Sequence, residues 1–217
     1  MRHVLLSGIV GSTAYGLAGP HSDVDRLGVF AAPTSALLGL TTPPETYVSS
    51  QPDVTLHEAR KYCLLALAGN PTVGELMWLP ADLYETMTPL GEALIERRAA
   101  FLSANRTRDA YLGYATQQFK RLEHKGVDKR TAKHARHLYR LCFQGFELYS
   151  TGHLTIRLDD PEKFRRFGEE VAAGDIEQAK RMLDRYQRLF GETKTRLPEE
   201  PDSRAVEDWL LKVRAAF

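Results

Sequence analysis

The residues best suited to chemistry in this sequence are a glycine-serine pair, Gly11-Ser12, and the triplet Asp23-Val24-Asp25 that follows it. Read as extended chain, Asp23 and Asp25 point to one face with Cα atoms about 6–7 Å apart. Bare carboxylates at that spacing repel one another unless a cation sits between them. Hard divalent ions such as Mg²⁺ take a carboxylate or two together with substrate phosphate oxygens. Two such ions about 3.5–4 Å apart stabilise the attacking and leaving oxygens of a displacement at phosphorus. A third carboxylate is expected from a neighbouring strand, with Asp53 in Asp53-Val54-Thr55-Leu56 the first candidate and Glu58 the second. Gly11 lets the backbone approach a ligand closely, and Ser12 offers a hydroxyl and an N–H near a helix start. Both suit a triphosphate tail. Tyr15-Gly16 follows one helical turn on.

A second concentration of charge lies at residues 120–140: Lys120, Arg121, Lys125, Lys129, Arg130, Lys133, Arg136 and Arg140, with His124, His134 and His137 among them. Lys133, His137, Arg140 and Gln144 recur at i, i+4, i+7 and i+11 and so share one helical face. Arg as a planar fork and Lys as a point charge suit a triphosphate. His137 can donate to a phosphate or act as an acid toward a leaving group. The outer basic residues suit an RNA backbone, whereas His134 and Arg136 read as a solvated face.

These residues need elements to hold them. Residues 3–10 and 24–31 read as strands joined through Gly19-Pro20-His21-Ser22, with a short helix over 34–40 and two more extended stretches at 45–49 and 53–57. From Leu56 the apolar period becomes helical, ending at Gly69-Asn70-Pro71. Helices are then expected over 72–79, 88–102, 106–125, 130–150, 161–172, 175–191 and 203–216, with Pro161 and Asp175 as helix starts. The fold class is therefore α/β (α+β): a small mixed sheet over residues 1–95, then a helical region over 96–217 that completes the cleft. Cys63 and Cys142 read as buried packing groups.

Composition sets the outer bounds. The 217 residues carry 29 Lys+Arg against 28 Asp+Glu, a formal charge of +1, so no whole-chain field calls for a polyanion or an anionic membrane. Charged residues at 26% and hydrophobic residues at 43% exclude a disordered chain. Two distant cysteines form no disulfide framework or zinc knuckle. The apolar N-terminal run breaks at Ser7-Gly8, and no segment approaches the roughly 20 apolar residues of a membrane span. A cytoplasmic protein is expected.

Gly11-Ser12-x-x-Tyr15-Gly16 followed by Ser22-Asp23-x-Asp25-x-x-Gly28-Val29 resembles the nucleotidyltransferases of the DNA polymerase β superfamily. More narrowly, the chain is similar to the predicted RNA-ligase-associated nucleotidyltransferases. The likeness runs through Arg60-Lys61, Gly69-Asn70-Pro71, Glu75-Leu76 and the helix with Lys133, His137 and Arg140, covering roughly residues 5–155. The resemblance implies transfer of a nucleoside monophosphate from an NTP, ATP among the candidates, to an acceptor hydroxyl with release of pyrophosphate. It implies Asp23 and Asp25 as ligands to both Mg²⁺ (or Mn²⁺) ions, and Asp53 as ligand to the catalytic ion and helper in deprotonating the acceptor. Gly11 and Ser12 would hold the β- and γ-phosphates. Tyr15, Lys133, His137 and Arg140 would complete the nucleotide site. An RNA 3′ end, tRNA included, is the expected acceptor; a protein hydroxyl or a small molecule suits the same core. One departure is that the chain starts on its first core strand, without the helix that often precedes it in the superfamily, leaving open what covers that face. The rival class is a nucleotide-binding regulator or antitoxin-like partner without turnover. A metal phosphohydrolase ranks third, because the His and acid spacing of a dinuclear hydrolase is missing.

Overall fold

A computed structural model describes every residue except Met1, His21, Gly126, Val127 and Lys129, with the backbone alone of Lys125. The chain forms two units: residues 1–102 with 201–217, and residues 103–200.

The first unit is built on a mixed five-stranded sheet. Its strands are β1 (His3–Ile9), β2 (Arg26–Ala31), β3 (Thr46–Ser50), β4 (Asp53–Glu58) and β5 (Tyr84–Met87), in the order β3-β4-β2-β1-β5. Only β2 and β4 run parallel. Their pairing begins at Arg26↔Val54 and ends at Phe30↔Glu58. The helices of this unit are α1 (Gly11–Tyr15), α2 (Thr34–Leu37), α3 (Ala59–Leu67), α4 (Pro71–Gly74) and α5 (Pro89–Glu96). The aliphatic run Leu5-Leu6 on β1 and Leu27, Val29 and Phe30 on β2 is buried, which is why these short stretches hold as central strands.

Four local expectations are corrected. The second strand starts at Arg26 rather than at residue 24, so Asp23 and Asp25 precede the ladder instead of sharing a strand face. Helical structure after Leu56 begins only at Ala59, because Glu58 ends β4 and its carboxylate caps α3 by accepting from the Arg60 N–H at 2.8 Å. The expected helix over 88–102 breaks at Arg97 into α5 and a 3₁₀ turn over Arg98–Phe101. Edge strand β5, only four residues long, has too little alternation to announce itself.

The remaining helix of this unit comes from the far end of the chain. α10 (Ser203–Ala216) packs on α3 and α5, and Trp209, fully buried, donates its indole N–H to the Leu90 carbonyl at 2.9 Å. Phe217 stacks on His3 at the start of β1, with ring centroids 4.6 Å apart.

The second unit is helical: α6 (Ala104–Lys125), α7 (Thr131–Thr151), α8 (Pro161–Ala172) and α9 (Ile176–Glu192). α7 is central, touching all three others. Tyr139 meets Phe164 and Phe167 at 4.4 and 5.0 Å, and Phe146 and Tyr149 meet Phe190 at 5.6 and 5.0 Å. Asp160 and Asp175 cap α8 and α9, accepting from the Lys163 and Gln178 N–H groups at 3.1 and 3.0 Å. Among the described residues no helix is long and apolar enough to cross a membrane.

Candidate functional site

The sheet positions the acids through its parallel pair. Arg26 is level with Val54, the first pair of the parallel ladder, and Asp25 and Asp53 are the residues that come immediately before that pair on their two stretches of chain. Two observations fix Asp25 further. Its carbonyl accepts from the Val10 N–H at 2.9 Å, extending the β1–β2 ladder by one bond. Its carboxylate lies against Gly11: a Cβ built there would collide with Asp25 Oδ2 and stand 3.1 Å from its Cγ. Gly11 has φ +67°, a left-handed conformation that a side chain disfavours. The left-handed backbone favours glycine at position 11, and any side chain there would also push the Asp25 carboxylate from its place. Asp25 is half-buried, while Asp23 and Asp53 are exposed.

Ser12, half-buried, lies in the first turn of α1, beside Gly11. α1 stops after five residues, where Gly16 adopts φ +76° and the Leu17 N–H donates to the Ser12 carbonyl at 2.8 Å. Tyr15 is buried, and its hydroxyl donates to Glu75 Oε2.

The donor chemistry fits a hard divalent ion. Carboxylate oxygens are what Mg²⁺ and Mn²⁺ take, and an ion held by one or two of them fills its shell with water and phosphate oxygens. Among the described residues no group of three or more His, Cys, Asp or Glu side chains stands at metal-holding spacing. The sheet brings Asp25 and Asp53 to one end, and Asp23 lies in the loop ahead of them. Glu58, the second candidate for the third carboxylate, is excluded by its surroundings. It closes the opposite end of β4, is buried, and forms a two-pronged ion pair with Arg214 of α10 at 2.6 and 2.9 Å.

In the second unit the basic face of α7 is graded. Lys133 is exposed, His137 half-buried, and Arg140 and Gln144 buried. Arg140 donates through Nη1 to Gln144 Oε1 at 2.7 Å and through Nη2 to His137 Nδ1 at 3.1 Å. Gln144 in turn donates to the Thr155 and Ile156 carbonyls at 2.8 and 3.1 Å. The guanidinium has only donors to give, so His137 Nδ1 accepts and its proton sits on Nε2. Burial, then the charges of Arg140, His134, Arg121 and Lys133, push the His137 pKa down to about 3. The imidazole is therefore neutral at pH 7. In that form its Nε2–H is a donor of the kind a phosphate oxygen accepts.

His134 is not simply solvated. Its Nδ1 lies 2.9 Å from Gln118 Oε1 on α6, which Arg121 also reaches at 3.5 Å. Gln118 had no charge to mark it in the sequence; its helical spacing to Arg121 was the available signal. Lys120 and Arg130 are exposed, whereas the Lys125 side chain and Lys129 lie outside the described residues. Arg60 and Lys61 stand 3.8 and 3.7 Å from Glu45. Cys63 and Cys142 are buried, and burial pushes their thiols up to about 12, as packing groups rather than nucleophiles.

A family model described as the RNA repair pathway DNA polymerase beta family matches residues 2–209 of this chain. No curated protein matches it.

Proposed function

The chain belongs to the RNA repair pathway DNA polymerase beta family, and from that premise we propose that it transfers a nucleoside monophosphate from an NTP to an acceptor hydroxyl. The acceptor is an RNA 3′ end, tRNA included. The acceptor oxygen forms a bond to the α-phosphorus, the bridging bond to the β-phosphate oxygen breaks, and pyrophosphate leaves with that electron pair. The hydroxyl proton passes to the Asp53 carboxylate. Gly11 and Ser12 hold the β- and γ-phosphates by close backbone approach and a hydroxyl. Asp25 and Asp53, joined by Asp23, would hold Mg²⁺ or Mn²⁺, which when bound neutralises phosphate charge and polarises the reacting oxygens. In the second unit Lys133 and the Nε2–H of His137 form an anion-binding face for phosphate, with the buried Arg140 behind them holding His137 through Nδ1.

The observation that supports this reading is the Asp25 carboxylate lying against the glycine of the Gly-Ser pair, one residue ahead of a parallel ladder whose other strand begins at Asp53. A second reading, nucleotide binding without turnover as a regulator or antitoxin-like partner, draws on the absence of a three-acid cluster among the described residues. One experiment separates them. The protein is incubated with each α-labelled NTP, magnesium, total RNA and lysate protein, and the fractions are counted. Label in RNA supports transfer to RNA; label in protein replaces the acceptor. NTP retention with no labelled product supports the regulator.

A further inference from the structure

We propose that Glu75 is a positioning residue for the Gly11-Ser12 phosphate site, acting through Tyr15, and that Tyr15 is a tie rather than a nucleotide contact. The inference rests on the reading that Gly11 and Ser12 hold phosphates. Glu75 is a buried acid for which the transfer step has no use, and it lies far along the sequence from the Gly-Ser pair.

The anchor is built first. Asn70 Oδ1 accepts from the Thr72 and Val73 N–H groups at 3.1 and 3.2 Å, fixing the turn that leads into Glu75. On one side the Tyr62 hydroxyl donates to the Val73 carbonyl at 3.2 Å, and on the other the Tyr84 hydroxyl donates to the Leu76 carbonyl at 2.9 Å. Glu75 thus sits between two backbone positions pinned by buried or half-buried tyrosines, and Leu76 and Met77 beside it are buried. The carboxylate is held before it meets its partner.

The element that needs holding is α1. Five residues make a single turn of helix, too short to persist on its own hydrogen bonds. Its first residue is a glycine in a left-handed conformation, and its C-terminal cap is another. The hydroxyl of Tyr15, the last residue of α1, reaches Glu75 Oε2, tying the helix to the pinned segment. Tyr15 is buried, with the hydroxyl engaged by Glu75, so it has no free face for a base or ribose. Loosening the tie lets α1 tilt, and Gly11 and Ser12 move with it.

The test uses Tyr15→Phe, Glu75→Gln and the double variant in the full chain. Hydrogen exchange is followed over residues 10–17, and binding of ATP, GTP, CTP and UTP with magnesium is measured by equilibrium dialysis. Tyr15→Phe is expected to speed exchange in that segment and to raise the NTP Kd about tenfold. Glu75→Gln keeps an amide oxygen for the hydroxyl and is expected to raise it about threefold. The double variant should be no worse than Tyr15→Phe alone, because both remove one interaction. Tyr15→Phe takes a donor from the buried Glu75 carboxylate and should lower the melting temperature by several degrees, so an unchanged far-ultraviolet circular dichroism spectrum and a cooperative transition show that the fold is kept. Unchanged exchange over residues 10–17 overturns the tie whatever the nucleotide does. Faster exchange with an unchanged Kd leaves the phosphate reading standing and overturns the positioning role. If the parent chain binds none of the four NTPs, the phosphate reading fails and the proposal fails with it.

Discussion

In the first unit Asp23 and Asp53 stand exposed at the ends of backbone elements, and Asp25 is placed by strand register and by a glycine that makes room for it. In the second, Arg140 is buried in a chain of side-chain hydrogen bonds through Gln144 to the Thr155 and Ile156 carbonyls. The first unit sets these three acids by backbone geometry and leaves them at least partly open to solvent. The other sets its deepest charge by side-chain partners and takes it out of water. The acids should therefore be removable without unfolding anything, while Arg140 should be bound up with the stability of its own unit.

That contrast can be broken in several places. The largest effect is expected from Asp25→Ala, which should lower nucleotide transfer by roughly 10³-fold while leaving the melting temperature nearly unchanged. A variant that melts early would show the carboxylate to be part of the fold. Gly11→Ala should cost activity by roughly 10²-fold and also about 1–2 kcal/mol of stability, since it forces a side chain into a left-handed backbone against Asp25. Urea denaturation monitored alongside turnover separates the two losses.

Arg140→Met should destabilise the second unit by about 2–3 kcal/mol, because it strands the buried Gln144 oxygen. Lys133→Ala on the same helix face, being exposed, should weaken NTP binding with no change in denaturation midpoint. Equal destabilisation by both would erase the gradient read along α7. A separate effect concerns pH. His137 is held near 3 in the fold against 6.5 for a free imidazole. The unfolded chain therefore binds the extra proton as pH falls below 6.5, and stability of the second unit declines down to about 3. His137→Gln should flatten that part of the curve; an unchanged curve would place the titration elsewhere.

Much of this was legible in the residues, and what was not has identifiable causes. The Gly-Ser pair and the acids declare themselves by type and spacing, and the helices from residue 104 onward by apolar period and by caps such as Asp160 and Asp175. The family resemblance seen in those motifs agrees with the match over residues 2–209. Position along a strand was less legible. Asp23 and Asp25 were expected to share a strand face, yet β2 begins only at Arg26, because strand ends depend on a partner that local sequence does not name. Long-range pairings were invisible. Nothing near Glu58 marks it for Arg214, and nothing in residues 203–216 says that this amphipathic helix returns to the first unit. Burial of Arg140 was hidden for the same reason: its place on a basic helix face, read as ligand-facing, gives no sign of the Gln144 side chain and its link to the Thr155 carbonyl.

The most direct test of the central claim is a balanced product measurement with α-labelled NTP, magnesium and RNA, comparing the parent chain with Asp25→Asn. The account predicts label joined to the RNA 3′ end with one pyrophosphate released per nucleotide added, and loss of both in the variant. Release of phosphate in place of pyrophosphate, or undiminished labelling by Asp25→Asn, would contradict it.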